Sequence, residues 1–464
     1  MPALLACESQ RATHSAAVDR ADSRWQSFSV DRSWLLPLLL LFVVKQLLLL
    51  AIIGPFSGHD EVDHFWYIAR LGAGHGLGVV GEAALPPEAE PYRRYVADYP
   101  ANAEVIQPPL YHLLLAPAER LVPGSPVNKL YVLRSFSIVL GALVVWLAYL
   151  TARMLFPASL LIRAGVPVFV AFQPQLSFEA AIVNHDILVI LLVSVSLYLA
   201  LLDIRDGLSK RQLLVLGAVG GAGLWTKVSF GLVLPVVAVA VGLAWWDRRE
   251  PLRVLIADLL RSVGVALLLI SPWFARSLWL YGDPTGAERL NQIPTFGDQA
   301  QSYSDMLGSV TFWRQMLEDF WGNYGWRQIP FDPVMFRVVW TVWGLALLGL
   351  VPLLLRGRAR RQPYRTTLSR FQRRGLLLLL FAVLLLIFGV LYVGTLQFTQ
   401  ARFAFPGMIA FAVFTLLGLS GWLPERVRAQ AVPIVLLLLV VLNTVVTLRF
   451  ILPFYYGPGG PAGP

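Results

Sequence analysis

The chain has 464 residues, of which 57% are hydrophobic and 14% are charged, and its mean hydropathy is +0.63. This composition excludes an ordinary soluble domain. The net charge of +10 does not indicate nucleic acid binding. The basic residues are concentrated in a few loops between apolar runs, as is typical of cytoplasmic loops that contact anionic lipid. The single cysteine, Cys7, excludes an internal disulfide framework and a cysteine zinc site.

Apolar runs long enough to cross a bilayer as helices follow one another along the chain. Barrel strands would be shorter and would alternate, so the predicted fold class is an all-α polytopic membrane protein. The predicted transmembrane helices, about eleven in number, lie near 34–54, 131–155, 159–176, 186–203, 212–227, 229–246, 262–281, 335–355, 375–396, 403–423 and 431–450. The fifth and sixth are so close that a tight hairpin must join them.

The basic loops set the orientation. With the N-terminus inside, the segments "DIRDGLSKRQ", "DRREPLR", "RGRARRQPYRTTLSRFQRR" and "PERVRAQ" all lie in the cytoplasm, in agreement with the positive-inside rule. The polar segments 55–130, 177–186 and 282–334 then lie outside. We therefore predict a cytoplasmic tail (1–33), a transmembrane domain (34–450) and a flexible tail (451–464), in a multi-pass protein of the plasma (inner) membrane.

Charge is concentrated directly after the first span, in "GHDEVDHFWY". A zinc deaminase site needs a downstream cysteine pair, and the H-E-x-x-H motif needs a closer histidine spacing, so neither fits. A solvated loop rim with aromatic anchors is one interpretation. The other is a reaction site: in a helix, Asp60 and Glu61 share a face with His64. A carboxylate there can act as general base on a hydroxyl from the aqueous side.

The first outer segment is too long for a simple connector. Its stretch "QPPLYHLLLAPAERLV" is typical of a short helix that begins at prolines and lies along the membrane surface.

Further polar residues collect on the same predicted side. Asn184, His185 and Asp186 lie at the outer mouth of the fourth span, Lys227 lies in the hairpin, and Arg402 lies where the tenth span begins. Basic residues at outer ends oppose the topological bias. These basic residues have two alternative interpretations. Their side chains either snorkel to the lipid headgroups or bind a phosphate at the depth of the outer leaflet.

The order of motifs resembles a known family. The motifs are "GHDEVDHFWY", "QPPLYHLLL", "FQPQLSFEAAIVNHD", "GLWTKVSFGLVLP", "PWFARSLWLYGDPTG", "FWGNYGW" and "QARFAFPGMIAF". Together they resemble the DUF2142-type branch of the GT-C membrane glycosyltransferases, related to the protein O-mannosyltransferases and aminoarabinose transferases. The similarity runs from about residue 34 to residue 450. Each motif alone is weak, and their common order is more specific for the fold than for the substrate.

The resemblance implies a GT-C-like helical bundle whose long first extracytoplasmic loop carries interfacial helices. It also implies metal-independent, inverting transfer of a sugar from a polyprenyl-phosphate donor to a glycan, lipid or protein acceptor on the extracytoplasmic face. In the family an aspartate of the first motif is the base, which falls here on Asp60.

Other roles follow from the resemblance. The motif with two prolines frames the donor pocket through Gln107 and Tyr111, although some relatives carry a basic residue or a histidine at the position of Gln107. The "QAR" and "TK" motifs assign phosphate binding to Arg402 and Lys227. Relatives often have a proline where His59 stands.

The predicted chemistry needs fixed cations for the leaving lipid phosphate. Glu61 or His64 would orient Asp60 or bind the acceptor, and the Asn184–Asp186 cluster would hold sugar hydroxyls. Trp321 either stacks on a sugar face or belongs to the interfacial aromatic belt.

Two alternatives and one question stay open. A lipid-linked-sugar flippase or polysaccharide export protein would grip a phosphate with the same residues, and a degenerate transferase would bind glycolipid without turnover. A translocation path needs ionisable residues near span midpoints, and only Lys45 lies clearly inside a predicted span. No cofactor is predicted, yet a divalent metal would find hard ligands if Asp60, Glu61, His64 and Asp186 converge.

Overall fold

The structure is a computed structural model that describes residues 33–82, 85–89, 102–292, 299–353 and 368–457. Almost all of the predicted N-terminal tail, the end of the C-terminal tail and most of the loop "RGRARRQPYRTTL" lie outside the described residues. Helices dominate the described part, whose one named strand is β1, Ile329–Pro330. The predicted all-α fold class is therefore confirmed.

Helices of very different lengths alternate in the first half of the chain. They are α1 Ser33–Ile52, α2 Glu61–Gly72, α3 Leu110–Leu121, α4 Pro126–Leu155, α5 Leu160–Phe172, α6 Pro174–Glu179, α7 Asp186–Asp206, α8 Lys210–Thr226 and α9 Leu234–Arg248. A 3₁₀ turn, Ala103–Ile106, precedes α3, and a second one, Val228–Val233, leads directly into α9.

The second half continues the pattern. Its helices are α10 Leu252–Tyr281, α11 Ala287–Asn291, α12 Tyr303–Gly308, α13 Val310–Trp321, α14 Tyr324–Arg327, α15 Pro333–Leu353, α16 Arg370–Gly394, α17 Met408–Trp422, α18 Glu425–Arg428 and α19 Ala431–Tyr456. A 3₁₀ turn, Ala401–Gly407, leads into α17.

Among the described residues, 9 helical segments are long and apolar enough to cross a membrane, so the chain is an integral membrane protein. They coincide with predicted spans. The two remaining predicted spans, 159–176 and 212–227, are the shorter helices α5 and α8, with 13 and 17 residues. The total of eleven stays a prediction. Because α5 is buried nearly all round, it forms part of the bundle core.

Some predicted boundaries were wrong. Helix α4 begins at Pro126, before the predicted 131, because Ser125 caps its polar first turn by accepting a hydrogen bond from the Asn128 backbone. Helix α19 continues through a π-helical turn to Tyr456, so the residues just after 450 are helical. Hydropathy locates apolar centres, whereas caps and local backbone geometry fix the ends.

The bundle brings the site together at one end. Helix α5 packs against α4, α17 and α19, and α7 packs against α4, α8 and α9. Since successive spans run in opposite directions, the ends of α1 and α8 meet the beginnings of α4, α7 and α17. We call this the site end of the bundle.

Helices α2 and α3 of the first loop pack against each other at the site end. Helix α3 confirms the helix predicted within 107–122. It buries Tyr111 and His112 but leaves Leu113, Leu114 and Leu121 exposed. An exposed apolar face on a short helix outside the spans fits contact with the membrane surface.

Candidate active site

Asp60 occupies a strained turn between α1 and α2. It is the N-cap residue of α2, with φ of 56° in the left-handed region, and its side chain makes no capping hydrogen bond. Asp tolerates this conformation better than most residues, but it still costs free energy. Strain of this kind persists where the surroundings enforce it, as they do at functional sites. The turn aims the Asp60 carboxylate away from its own helix.

A buried ion pair enforces that turn. Both carboxylate oxygens of Glu61 accept from the Arg134 guanidinium, at 2.8 Å (Nε) and 2.6 Å (Nη2), and both side chains are fully buried. Glu61 also accepts from the backbone N–H groups of Val183 at 2.9 Å and Gly58 at 3.2 Å. Arg134 donates in addition to the carbonyls of Leu50, Ile53 and Gly54. This network therefore joins the end of α1, the start of α2 and the chain before α7.

Glu61 was predicted to be part of the catalytic pair and to orient Asp60 or bind the acceptor, and its contacts bear on the choice between these roles. Its oxygens are saturated by four donors and have no exposed surface. A proton acceptor must reach its substrate. The geometry favours a positioning role for Glu61 and leaves Asp60 as the accessible member of the acidic pair.

We expect Glu61→Gln to lower the free energy of unfolding by about 3–5 kcal/mol, because it leaves the buried Arg134 guanidinium without its counter-charge. Thermal unfolding of the purified protein in detergent measures the change. Glu82→Gln is the matched control, since Glu82 is an exposed residue of the same loop. Equal melting temperatures for the two variants would show that the pair contributes nothing to stability.

Two ion pairs lie side by side at the site end. Arg402 Nη2 is 2.8 Å from Asp60 Oδ2, Lys227 Nζ is 2.5 Å from Asp186 Oδ1, and Arg402 Nη1 is 4.0 Å from Asp186 Oδ2. Asp60 is the most exposed of the four side chains at 17%, against 13% for Lys227, 10% for Asp186 and 6% for Arg402. Residues from three distant parts of the chain thus form one cluster of two basic and two acidic side chains.

Burial raises the pKa of Asp60 to about 7. Lys227 opposes this rise, while the neighbouring carboxylates of Asp186 and Glu179 add to it. A carboxylate that titrates near neutral pH is a stronger base than an ordinary one and is still ionised in part at physiological pH. Asp60 therefore has the basicity and the exposure that proton transfer from a hydroxyl requires.

A second polar network lies beneath the ion pairs. His59 Nε2 is 2.9 Å from Glu179 Oε2 and 2.8 Å from Asn184 Nδ2, and all these side chains are buried. Asn184 Oδ1 accepts from the backbone N–H of Asp186 at 2.7 Å. Asn184 therefore orients the start of α7, and its side chain is engaged within the protein.

Histidines converge beside this network. His64 Nδ1 is 3.0 Å from His112 Nε2, and His185 Nδ1 is 3.4 Å from Glu104 Oε2. Burial lowers the pKa of His64, His112 and His185 and raises that of Glu104, so the imidazoles are neutral. Within the described residues, two sets place potential metal-ligand atoms within 4.8 Å of one another, namely His64 with His112 and His185, and Asp60 with His64 and Glu104.

Tyr111 lies next to the histidines, and Gln107 precedes it in the chain. Gln107 is half-buried where the 3₁₀ turn ends, before the two prolines. Tyr111 is buried, with its ring centroid 6.2 Å from that of His64 in an edge-on arrangement. The ring of Tyr111 therefore borders the histidine cluster, and the role of both residues in a donor pocket stays a prediction.

The environment of Trp321 differs from both predicted environments, which were a sugar-stacking site and the interfacial aromatic belt. It is 4% exposed and packs in an aromatic cluster, with ring centroids 5.8 Å from Phe169, 5.8 Å from Phe320 and 5.7 Å from Trp343. A ring enclosed in this way has no face for a sugar. Its position favours a role in packing α13 against the bundle.

The sequence analysis did not identify four buried polar residues of the site, namely Arg134, Glu104, Glu179 and His112. Arg134 lies within the predicted span 131–155, so the statement that only Lys45 lies clearly inside a span needs correction. The signal that could have identified Arg134 from the sequence is a charged residue within an apolar run. Lys45 Nζ donates to Ala171 O at 2.5 Å and Ser177 Oγ at 2.6 Å. These two cations thus have partners that fix them, which is the pattern of structural charges rather than of a translocation path.

The arrangement of apolar spans, with a first loop that carries a strained acidic turn over the end of the bundle, resembles the GT-C fold. A structure of ArnT from Cupriavidus metallidurans bound to undecaprenyl phosphate matches with a TM-score of 0.52 at 15% identity, covering 91% of this chain and 73% of that chain. The chain also matches, over residues 107–275, the family model described as dolichyl-phosphate-mannose-protein mannosyltransferase. The predicted resemblance to the GT-C superfamily is confirmed, and the DUF2142-type branch stays a prediction.

Other similarities are more remote. An oligosaccharyltransferase from Archaeoglobus fulgidus tethered to an acceptor peptide matches with a TM-score of 0.46 at 12% identity, covering 90% of this chain and 54% of that one. No curated protein matches the chain. The part matched by the family model contains Asn184, Asp186 and Lys227 but neither Asp60 nor Arg402. These last two join the cluster through the tertiary structure.

Proposed function

We propose that the protein is an inverting glycosyltransferase that moves a sugar from a polyprenyl-phosphate donor to an acceptor hydroxyl, with Asp60 as general base. The observation that carries this proposal is the cluster of Asp60, Asp186, Lys227 and Arg402, in which an accessible carboxylate of pKa about 7 lies 2.8 Å from a fixed guanidinium. Base and phosphate-binding cations are the two requirements of the reaction.

The reaction is a single displacement. The acceptor oxygen attacks the anomeric carbon while the bond from that carbon to the phosphate oxygen breaks, and the hydroxyl proton passes to Asp60. Negative charge that develops on the lipid phosphate is stabilised by Arg402 and Lys227. Since attack and departure occur on opposite faces, the anomeric configuration inverts.

The donor class draws support from the comparisons. ArnT was captured with undecaprenyl phosphate, and the matching family model is described by a dolichyl-phosphate sugar. Both lipids are polyprenyl phosphates. The spans of this chain keep the site end close to the membrane surface, where the phosphate of such a lipid lies.

Sidedness follows from charge. The described basic residues of the short loops, such as Lys210, Arg211, Arg253 and Arg373, belong to the end opposite the site. The positive-inside rule therefore supports a site on the extracytoplasmic face of the plasma (inner) membrane. Glycans, lipids and proteins with free hydroxyls are acceptors available there.

The other predicted site residues have supporting roles in the proposed reaction. His64 and His185 line the acceptor side of Asp60, Tyr111 backs them, and Asn184 orients Asp186. Gln107 ends the 3₁₀ turn that carries Glu104.

The test is transfer of labelled sugar from a panel of polyprenyl-phosphate donors in proteoliposomes, with a separate measurement of donor movement between leaflets. Radiolabel in a glycosylated acceptor supports the transferase. Movement of the donor between leaflets without transfer would overturn the proposal in favour of a flippase.

The pH profile offers a second check. Because the deprotonated form of Asp60 accepts the proton, kcat/KM is expected to fall about tenfold per pH unit below pH about 7 and to level off above it. The profile is measured with EDTA present, so that a bound cation does not change the titration. A flat profile between about pH 5.5 and about pH 8 would contradict the role of Asp60.

A further inference from the structure

We propose that an ion pair of the second long outer segment, Asp319–Arg327, is a latch that positions Arg402 for the reaction. The pair is bidentate: Arg327 Nε lies 2.9 Å from Asp319 Oδ1, and Arg327 Nη2 lies 2.6 Å from Asp319 Oδ2. Asp319 is buried in α13, and Arg327 is the last residue of α14. Both act through another residue, so they are positioning residues.

The segment that leads to Arg402 has no helix or strand of its own. Helix α16 ends at Gly394, and the 3₁₀ turn that contains Arg402 begins at Ala401. Gln400, the N-cap residue of that turn, makes no side-chain capping hydrogen bond. The position of Arg402 therefore depends on contacts that other elements make with residues 395–401.

The latch supplies such contacts. Arg327 Nη2 donates to Thr399 O at 3.0 Å, and the guanidinium lies over the Phe398 ring, 4.5 Å from its centroid. Burial raises the pKa of Asp319, while hydrogen bonding by Arg327 and by the backbone N–H of Ala401 opposes the rise. The pair thus holds the chain immediately before the phosphate-binding arginine.

The backbone at Arg327 is strained. Its φ is 61°, in the left-handed region that glycine usually occupies at the end of a helix. A side chain in this conformation costs free energy, and such strain persists where the surroundings enforce it. The ion pair and the contact with Thr399 are the interactions that enforce it here.

A second path joins the latch to the first loop. Asn323 Nδ2 donates to Asp319 Oδ1 at 3.2 Å, and the backbone N–H of Asn323 donates to Gln175 Oε1 at 3.3 Å. Gln175 Nε2 donates in turn to Glu179 Oε1 at 3.4 Å, and Glu179 pairs with His59, the residue before the proposed base. One ion pair is therefore connected to both sides of the reaction site.

The latch has a consequence for the rate. Misplacement of a reacting or binding group by about 1 Å can cost about 10²-fold. Arg402 Nη2 lies 2.8 Å from Asp60 Oδ2, and the two paths from the latch fix the segments that carry these two side chains. The effect on rate rests on the proposed function, whereas the restraint on residues 395–402 is a physical contact that can be measured without turnover.

Hydrogen–deuterium exchange of the full-length protein in nanodiscs tests the restraint. Arg327→Gln is expected to speed exchange in peptides covering 395–402 by about tenfold, because loss of charged hydrogen bonds makes local opening more frequent. Arg314→Gln is the matched control, since Arg314 is exposed on α13 and lies 3.7 Å from Glu318. Unchanged exchange in Arg327→Gln would overturn the proposal.

Sugar transfer in proteoliposomes tests the positioning role. Arg327→Gln is expected to lower kcat/KM for the donor by about 10–100-fold. Arg327→Lys should recover part of the loss, because it keeps the charge but lacks the planar fork. In an Arg402→Gln background, Arg327→Gln should cost about twofold or less, since the residue through which the latch acts is already gone. Independent, additive losses would overturn the positioning role.

The two assays separate this inference from the proposed function. If wild type transfers no sugar, the proposed function fails and the positioning role fails with it, while hydrogen exchange still decides whether the latch restrains the segment. If wild type transfers sugar and Arg327→Gln behaves as Arg314→Gln does in both assays, the latch is overturned and the proposed function stands.

Discussion

Asp60→Asn is expected to lower kcat for sugar transfer by about 10²–10⁴-fold, because the amide has the shape of the carboxylate but does not accept the proton of the attacking hydroxyl. The change is nearly isosteric, and the left-handed φ of 56° at this position is as accessible to Asn as to Asp. The turn should therefore survive. Initial rates with saturating donor and acceptor in proteoliposomes measure the effect.

The KM for the donor separates this role from a binding role. A lost base reduces kcat and leaves the KM nearly unchanged, whereas a lost binding contact raises the KM. Asp305→Asn is the matched control, since Asp305 is exposed in the second long outer segment. Full activity in Asp60→Asn would assign the proton transfer to another group.

The sequence predicted the positions of the helices better than it predicted which side chains contact one another. Apolar runs predict where spans lie because burial in lipid acts on every residue of a span. Asp60, Asp186, Lys227 and Arg402 were also predicted to lie on one side, since their positions relative to the spans determine their end of the bundle. The structure places them within one cluster.

Roles within the acidic pair required tertiary contacts. Asp60 and Glu61 are chemically alike and adjacent, yet Glu61 is saturated by Arg134, which lies 73 positions away along the chain. No local pattern reveals such a pairing. Trp321 illustrates the same limit, because an aromatic at a membrane boundary has the same sequence signature whether it lines a pocket or fills a core.

The histidine cluster is a further example. His64, His112 and His185 belong to three separate motifs, none of which has the spacing of a local metal site. Their convergence depends on the packing of α2 against α3 and on the anchoring of Glu61 to the chain before α7. The first loop thus builds its polar interior from distant segments, each of which is uninformative alone.

Arg402→Gln is expected to lower kcat/KM for the donor by about 10²–10³-fold, the loss typical of a fixed donor to a developing negative charge. Arg402 lies between Asp60 and Asp186, so its guanidinium can hold the phosphate close to the base. Arg402→Lys should recover only part of the loss, because a point charge lacks the planar fork that grips two phosphate oxygens. Arg337→Gln is the matched control, an exposed arginine at the start of another span, and should be nearly neutral. If Arg402→Gln instead changed only the unfolding temperature, the guanidinium would be a structural partner of Asp60, and Lys227 alone would remain as the phosphate-binding cation.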